Sequence, residues 1–194
     1  MKGETKLNLF TAIVTASIDG EQLSPQITTS LNYKHWISVE DWKRCFECAG
    51  NHGKIWTVAE TPYPEPPTHT NCRCKIKLMQ AITAGTATIN GMDGADWRLK
   101  YEGKLPSYYI SSFNASRSGW KPSKWPSNFF PGKILTLGNY KNFNGHLPCA
   151  KGRIWYETDI NYKTGKRNSQ RILWSNDGLI FVTYDHYQTF YEII

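Results

Sequence analysis

The C-terminal part of the chain constrains the fold most, because two sets of side chains alternate there at every second residue. The first set is Ile154, Tyr156, Thr158, Ile160 and Tyr162, and it alternates with Arg153, Trp155, Glu157, Asp159 and Asn161. A period of two residues predicts a β-strand. The tripeptide Asn176-Asp177-Gly178 predicts a tight hairpin. With further strands predicted at Arg171–Trp174, Leu179–Tyr184 and Tyr187–Ile193, the segment is expected to form a meander.

Two short helices are predicted before these strands. Asp93 or Gly94 can cap the first helix, and Ser111 or Ser112 can cap a second that ends near Gly119. Helices followed by antiparallel strands define an α+β fold. We therefore expect the helices to pack on a C-terminal antiparallel β-sheet.

Two segments have the composition of linkers. Residues 61–67 (TPYPEPP) are rich in proline, which fixes φ and disfavours a helix. Residues 81–94 (AITAGTATINGMDG) carry small side chains with little to pack. The second segment predicts a boundary between a small Cys-rich module, residues 1–85, and an α+β domain, residues 92–194.

Positive charge is concentrated in the second half of the chain. The net charge is +7; residues 92–194 hold 14 Lys and Arg against 8 Asp and Glu, whereas residues 1–91 hold 9 against 8. A basic domain attracts polyanions such as RNA, or acidic proteins. The 8 Trp, 11 Tyr and 8 Phe suit both a packed core and stacking on bases.

The sequence contains no segment that we expect to span a membrane. The apolar patch at Leu9–Val14 is interrupted by polar residues and lacks a clear cleavage site. It predicts a strand or short helix and not a secretory signal.

Four polar side chains of the predicted sheet suit phosphoryl chemistry: Glu157, Arg167, Arg171 and His186. A glutamate can take a proton from a ribose 2′-hydroxyl, and a histidine can protonate the leaving 5′-oxygen. Arginines can hold the phosphate and stabilise its developing charge without a metal. The same spacing also fits a salt-bridge network on an exposed sheet face, with His186 as a turn residue.

Residues 152–194 resemble the end of the barnase-like family of microbial guanyl-preferring ribonucleases. The matching runs are Asp159-Ile160-Asn161-Tyr162, Arg167-Asn168-Ser169, Arg171-Ile172-Leu173 and Asp185-His186-Tyr187-Gln188-Thr189-Phe190. The similarity extends back through Pro131-Gly132-Lys133, Gly119-Trp120 and Lys104-Leu105-Pro106. It thus covers roughly the last hundred residues of the chain.

The resemblance implies a role for each matching position. Glu157 falls on the family's general base and His186 on its general acid. Arg167 and Arg171 fall on the phosphate-binding arginines, and Tyr187 on a tyrosine near the scissile phosphate. The family cleaves single-stranded RNA through a 2′,3′-cyclic phosphate and then hydrolyses that ring.

The resemblance also implies a biological setting. We expect a monomeric ribonuclease toxin, secreted or delivered as an effector although no signal peptide is recognised. Its implied partner is a small acidic immunity protein of the barstar kind. No cofactor is expected for catalysis.

The sequence departs from the family at two sites. Ser112 stands where the family has a lysine near the phosphate, which predicts slower turnover. The family's guanine-recognition loop falls on Tyr140, Lys141, Asn142, Phe143 and Asn144. Phe143 replaces an arginine there, and Asn144 replaces a glutamate, so we expect a weakened or altered base preference. These changes also fit an alternative function, a catalytically weakened module that binds RNA or protein.

Four cysteines cluster in the N-terminal half as Cys45-x2-Cys48 and Cys72-x-Cys74, with His69 just before the second pair. The four cysteines predict a structural zinc site, and two disulfides or unpaired thiols are the alternatives. This pattern is similar, over about forty residues, to phage-Mu-type minor head proteins, some of which are fused to toxins. The similarity implies a delivery or docking module. A further alternative is a zinc protein that binds nucleic acid.

Overall fold

The computed structural model describes residues 16–18 and 21–194, and the patch at Leu9–Val14 lies outside them. The strands are β1 Ala16–Ile18, β2 Glu21–Leu23, β3 Ile27–Ile37, β4 Ile55–Thr57, β5 Lys75–Ile82, β6 Tyr109–Ser111, β7 Ile134–Tyr140, β8 Trp155–Asp159, β9 Arg171–Ser175, β10 Ile180–Thr183 and β11 Tyr191–Ile193. The helices are α1 Phe46–Asn51, α2 Ala95–Glu102 and α3 Ser112–Arg117, with 3-10 turns at Gly91–Asp93 and Pro126–Asn128. No helix in this described part is both long and apolar enough to cross a membrane.

One nine-stranded sheet runs through both halves of the chain, in the order β4-β3-β5-β11-β10-β9-β8-β7-β6. Strands β7 to β11 pair antiparallel, as the alternating pattern predicts. Strand β6 pairs parallel with β7, and β5 pairs parallel with β11. The whole sheet is therefore mixed: the predicted C-terminal strands are antiparallel, and the parallel pairs involve β5 and β6, where no strand was predicted.

The predicted strands and helices are present with shorter bounds in several places. The last strand begins at Tyr191 and not at Tyr187, because His186 and Tyr187 adopt positive φ and interrupt the extended backbone. Gly94 caps α2, and Ser111 caps α3 by accepting a hydrogen bond from the Asn114 amide at 3.2 Å. Both helices therefore begin at the predicted caps.

The segment 81–94 does not pack like a linker. Ala81 and Ile82 belong to β5, and Ala87 is completely buried. The buried carboxylate of Asp96 accepts hydrogen bonds from the amides of Gly85 and Ala87 at 2.7 and 3.0 Å. The small side chains allow close packing against α2, so the expectation of a loosely packed connection is wrong.

Apolar side chains fill both faces of the shared sheet. One core cluster joins Ile82 of β5 and Leu99 of α2 to Ile172 and Ile193. A second cluster joins Tyr33 and Met79 to side chains of the C-terminal strands. Both clusters contain residues from each half of the chain. The division into 1–85 and 92–194 stays a prediction.

Candidate active site

The alternation along β8 brings two carboxylates to one face of the sheet. Glu157 lies opposite Leu173 of β9, and Asp159 lies opposite Arg171. Residues two apart on a strand share a face, so the two carboxylates are neighbours. Asp159 is 1% exposed, whereas Glu157 is partly exposed. The sheet therefore presents one accessible carboxylate beside one that is enclosed.

Asp159 holds the two predicted phosphate-binding arginines. Its Oδ2 accepts from Nε of Arg167 at 2.6 Å, and its Oδ1 accepts from the same guanidinium at 2.8 Å. Arg171 places a terminal nitrogen 3.0 Å from Oδ1 of Asp159. The hydrogen bonds to Asp159 raise the pKa of Arg167, so its positive charge is held firmly. This geometry fixes two cations beside Glu157.

The even spacing of Arg167 and Arg171 predicts that they share a strand, but the structure places them on different elements. Arg171 begins β9, but Arg167 lies in the loop before it. Asp159, which the sequence placed on the correct face without a role, is what brings them together. The alternation contained a signal for this residue, because it lies two positions after Glu157 on the same face.

His186 and Tyr187 lie in a tight turn between β10 and β11. Their φ angles are 60° and 72°, in the left-handed region that side chains other than glycine seldom adopt. The turn is held by Asp185, whose Oδ1 accepts from the amides of Gln188 and Thr189 at 3.1 and 2.9 Å. The His186 side chain is exposed at the site, with its ring centre 4.8 Å from that of Tyr187.

Tyr187 connects this turn to β8. Its hydroxyl donates to Oε2 of Glu157 at 2.6 Å. Burial, followed by the bond to the Glu157 carboxylate, raises the pKa of Tyr187, so the phenol remains a proton donor. Glu157, His186 and Tyr187 therefore occupy one site with the two arginines. The alternative of an ion-pair network with His186 as a turn residue also finds support, although the carboxylate that pairs with both arginines is Asp159 and not Glu157.

The predicted base-recognition loop adjoins the site through an aromatic stack. Tyr140 ends β7, and its ring lies 5.3 Å from that of Tyr187 at an angle of 23°. Asn142 fixes the loop, since its side chain donates to the Leu147 carbonyl at 2.8 Å and accepts from the Leu147 amide at 3.0 Å. Phe143 is 94% exposed. The loop is thus anchored at Asn142 and open at its tip.

The remaining two loop residues point to different neighbours. Asn144 contacts His146 through both its amide nitrogen and its oxygen. Lys141 helps to line a cavity of about 310 Å³ together with Tyr140, Arg153 and Trp155. This volume lies in the range of small-ligand sites. Ser112 begins α3 directly after β6, the strand that pairs with the other edge of β7, and its carbonyl accepts from the Ser116 hydroxyl at 2.9 Å.

A second group of reactive side chains lies in the N-terminal half. Cys45, Cys48 and His69 form one cluster, and Cys48 forms another with Cys72 and Cys74; within each cluster the donor atoms lie within 4.8 Å of one another. The four predicted cysteines are therefore brought together. His69 also lies in this cluster, although only the four cysteines were predicted to be ligands.

Comparison with known proteins identifies the C-terminal part. The family model described as ribonuclease matches residues 93–194. A ribonuclease of Bacillus pumilus is 43% identical over 129 residues, covering 66% of this chain and 78% of the relative. A ribonuclease of Bacillus intermedius is 42% identical over 137 residues, covering 70% and 82%, and one of Heyndrickxia coagulans is 45% identical over 109 residues, covering 55% and 99%. The chain belongs to the family of barnase-like ribonucleases, and the protein is an endoribonuclease.

Proposed function

We propose that the protein cleaves single-stranded RNA by transesterification to a 2′,3′-cyclic phosphate, followed by hydrolysis of that ring, without a catalytic metal. The observation that carries the proposal is the 2.6 Å hydrogen bond between Tyr187 and Glu157. It ties the accessible carboxylate of β8 to the turn that carries His186. This contact supports the assignment of a base and an acid to one site, next to two arginines.

In the first step, Glu157 removes the proton from the ribose 2′-hydroxyl. The 2′-oxygen attacks phosphorus, the bond from phosphorus to the 5′-oxygen breaks, and His186 donates a proton to that leaving oxygen. In the second step the roles are reversed. His186 takes a proton from water, the water oxygen attacks phosphorus, the bond from phosphorus to the 2′-oxygen breaks, and Glu157 returns a proton to that oxygen. The products are a 3′-phosphate and a free 5′-hydroxyl.

Arg167 and Arg171 bind the phosphate oxygens and stabilise the charge that develops on them. Asp159 supports this role because it orients both guanidinium groups before substrate arrives. The buried Nε of Arg171 has no hydrogen-bond partner, whereas one terminal nitrogen is bonded to the carbonyls of Asn168 and Gln170. Tyr187 is a positioning residue for Glu157 and also contacts the phosphate region.

The loop Tyr140–Asn144 binds the base next to the cleaved bond. Asn144 offers a neutral amide, which accepts a hydrogen bond less strongly than a carboxylate, and its amide already contacts His146. Guanine is then read mainly by backbone amides of the loop. We expect cleavage after several bases, measured by mapping the products of a defined RNA. Cleavage almost only after G would contradict this part of the proposal.

The proposal also covers the partner of the enzyme and the way it reaches its target. The excess of basic residues in 92–194 suits a small acidic inhibitor protein of the barstar kind, which would protect the producing cell. The enzyme acts as a monomeric secreted or delivered effector, with the N-terminal half as its delivery or docking module. The relatives support only the ribonuclease activity in this description.

The test is cleavage of a fluorescent single-stranded RNA in excess EDTA, with folding checked by circular dichroism under the same conditions. Glu157→Gln and His186→Ala should each reduce kcat by at least about 100-fold, because acid and base groups contribute about 10² to 10⁴. Glu47→Gln, which changes an exposed carboxylate on α1, is the control and should cleave normally. A folded wild type that needs added metal, or a Glu157→Gln variant with full activity, would refute the mechanism.

A further inference from the structure

The Cys and His cluster of the N-terminal half has no part in the ribonuclease mechanism. Its donor atoms form a continuous series of short contacts. Nε2 of His69 lies 3.2 Å from the Cys45 sulfur and 3.1 Å from the Cys48 sulfur. The Cys48 sulfur lies 3.8 Å from that of Cys72. Donors from two distant segments thus form a series of contacts, in which Cys48 joins Cys72 to Cys45 and His69.

These separations suit a tetrahedral ion. Zinc bonds of about 2.3 Å to sulfur and about 2.0–2.1 Å to nitrogen place ligand atoms about 3.5–3.8 Å apart in a tetrahedron. The sulfur pair matches that spacing, and the sulfur–nitrogen pairs lie a few tenths of an ångström closer. Both ligand pairs, Cys45-x2-Cys48 and His69-x2-Cys72, have two intervening residues. A small cavity of about 20 Å³ is lined by Cys45, Cys48, His69 and Cys74, among other residues.

The surrounding bonds orient two of the donors in this series. The Nδ1 atom of His69 bonds the Thr70 carbonyl at 2.9 Å, so its proton lies there and Nε2 presents a lone pair to the sulfurs. Metal-binding histidines are commonly oriented in this way by a second bond. The Cys45 sulfur accepts from the Cys48 amide at 3.3 Å, which fixes it at the start of α1.

The fifth donor, Cys74, occupies a different position. It lies within 4.8 Å of the Cys48 and Cys72 sulfurs and lines the small cavity with Cys45 and His69. The 3.8 Å contact between the Cys48 and Cys72 sulfurs and the two-residue spacing from His69 to Cys72 favour Cys72 over Cys74 as the fourth ligand.

We propose that Cys45, Cys48, His69 and Cys72 bind one zinc ion tetrahedrally, with Cys74 outside the coordination shell. Three thiolates with one imidazole select zinc among the common divalent metals because sulfur and imidazole are its preferred ligands. This ligand set revises the prediction of four cysteines. All four positions are filled by protein, so the ion has a structural role and no open site for substrate.

The ion would act on the nuclease through β5. It joins α1 to the segment that leads directly into β5, and the far end of β5 pairs with β11 of the nuclease sheet. Loss of the ion would leave the 58–74 segment without its attachment to α1. Zinc removal should therefore lower the thermal unfolding midpoint of the whole chain, although Glu157 and His186 themselves are unchanged.

The experiment measures zinc content in the full chain, purified without a histidine tag or chelator. The wild type should contain one zinc per chain. Cys48→Ser and His69→Ala should contain little zinc, whereas Cys74→Ser and Cys149→Ser, which changes the exposed cysteine, should keep it. Cobalt substitution of the wild type should produce the intense visible bands of a tetrahedral thiolate site, and this readout does not depend on the folding of a variant.

Three results would overturn the proposal. A wild type without zinc, whose mass is lower by the hydrogens of two disulfides, would show oxidised cysteines. Zinc kept by His69→Ala and lost from Cys74→Ser would assign the four-cysteine set. Octahedral cobalt spectra, or no cobalt uptake, would refute a closed tetrahedral site.

Discussion

At the scale of single residues, Asp159 organises the catalytic face although it does not touch substrate in the proposed mechanism. It is 1% exposed and compensates the charges of Arg167 and Arg171. A buried carboxylate between two guanidinium groups costs desolvation energy, which the ion pairs offset only while both partners are present. The Asp159 carboxylate is therefore stabilised in its buried position only when both arginines are present.

We predict that Asp159→Asn lowers the free energy of unfolding by about 3–5 kcal/mol, because it leaves two neighbouring cations without their shared partner. It should also reduce kcat/KM, since the arginines lose their orientation. Urea unfolding and RNA cleavage measure the two effects. Asp177→Asn is the matched control. It breaks the pair between Arg153 and the Asp177 carboxylate, which is 46% exposed, and should cost less than about 1 kcal/mol. Equal losses in the two variants would contradict the role of Asp159.

At the scale of elements, a buried carboxylate of α2 anchors the connection 83–94. Asp96 is completely buried and accepts from the Gly85 and Ala87 amides and from the Thr88 hydroxyl, the last at 2.7 Å. Ala87 and Thr88 are buried and Gly85 is partly buried, so at least the first two donors need this acceptor. The connection is therefore a packed part of the helix layer.

We predict that Asp96→Ala destabilises the fold by about 2–4 kcal/mol, because each unsatisfied buried donor costs about 1–3 kcal/mol. Thermal denaturation followed by circular dichroism measures the loss. Asp93→Ala is the control, because it removes an exposed ion pair with Arg98 in the same region. A flexible linker would predict no difference between the two variants.

Strand β3 contributes a titrating residue near the catalytic turn. Burial, then the neighbouring charges of His52 and Lys77, lowers the pKa of His35 to about 4. His35 lines a small cavity with Gln188 and Phe190, which follow His186 and Tyr187. The folded protein therefore holds fewer protons than the unfolded chain between about pH 6.5 and pH 4.

In that window stability should fall as the pH falls, because protons bind preferentially to the unfolded chain, by at most about 3 kcal/mol. His35→Gln should flatten the stability curve there and leave the curve above pH 7 parallel to that of the wild type. Urea midpoints at several pH values provide the measurement. Zinc release in acid would affect both proteins alike, so the difference between them isolates His35; identical slopes would contradict the prediction.

At the scale of the whole molecule, the two halves share one sheet. Glu192 and Ile193 of β11 pair with Ala81 and Ile82 of β5. Glu192 also accepts a hydrogen bond from the Asn32 side chain at 2.7 Å. The N-terminal half thus covers an edge of the nuclease strands that would otherwise expose unpaired backbone groups.

We predict that a fragment of residues 92–194 melts below the full chain, and that a fragment of residues 75–194, which keeps β5, recovers part of the loss. The reason is that the shorter fragment exposes β11 together with the apolar neighbours of Ile82. Differential scanning calorimetry compares the three proteins. If the shorter fragment melts with the full chain, residues 92–194 are an independent domain as the composition predicted.

The sequence by itself determined the C-terminal strands and the two helix caps, because alternation, capping and turn chemistry act over a few neighbouring residues. The proposed catalytic residues came from the resemblance to a ribonuclease family. The alternation also placed Glu157 and Asp159 on one face. Only the tertiary structure decided that Asp159, and not Glu157, pairs with the arginines, that β5 joins β11, and that His69 lies among the cysteines. Those contacts join residues far apart in the chain, and local periodicity carries no information about which distant partners will meet.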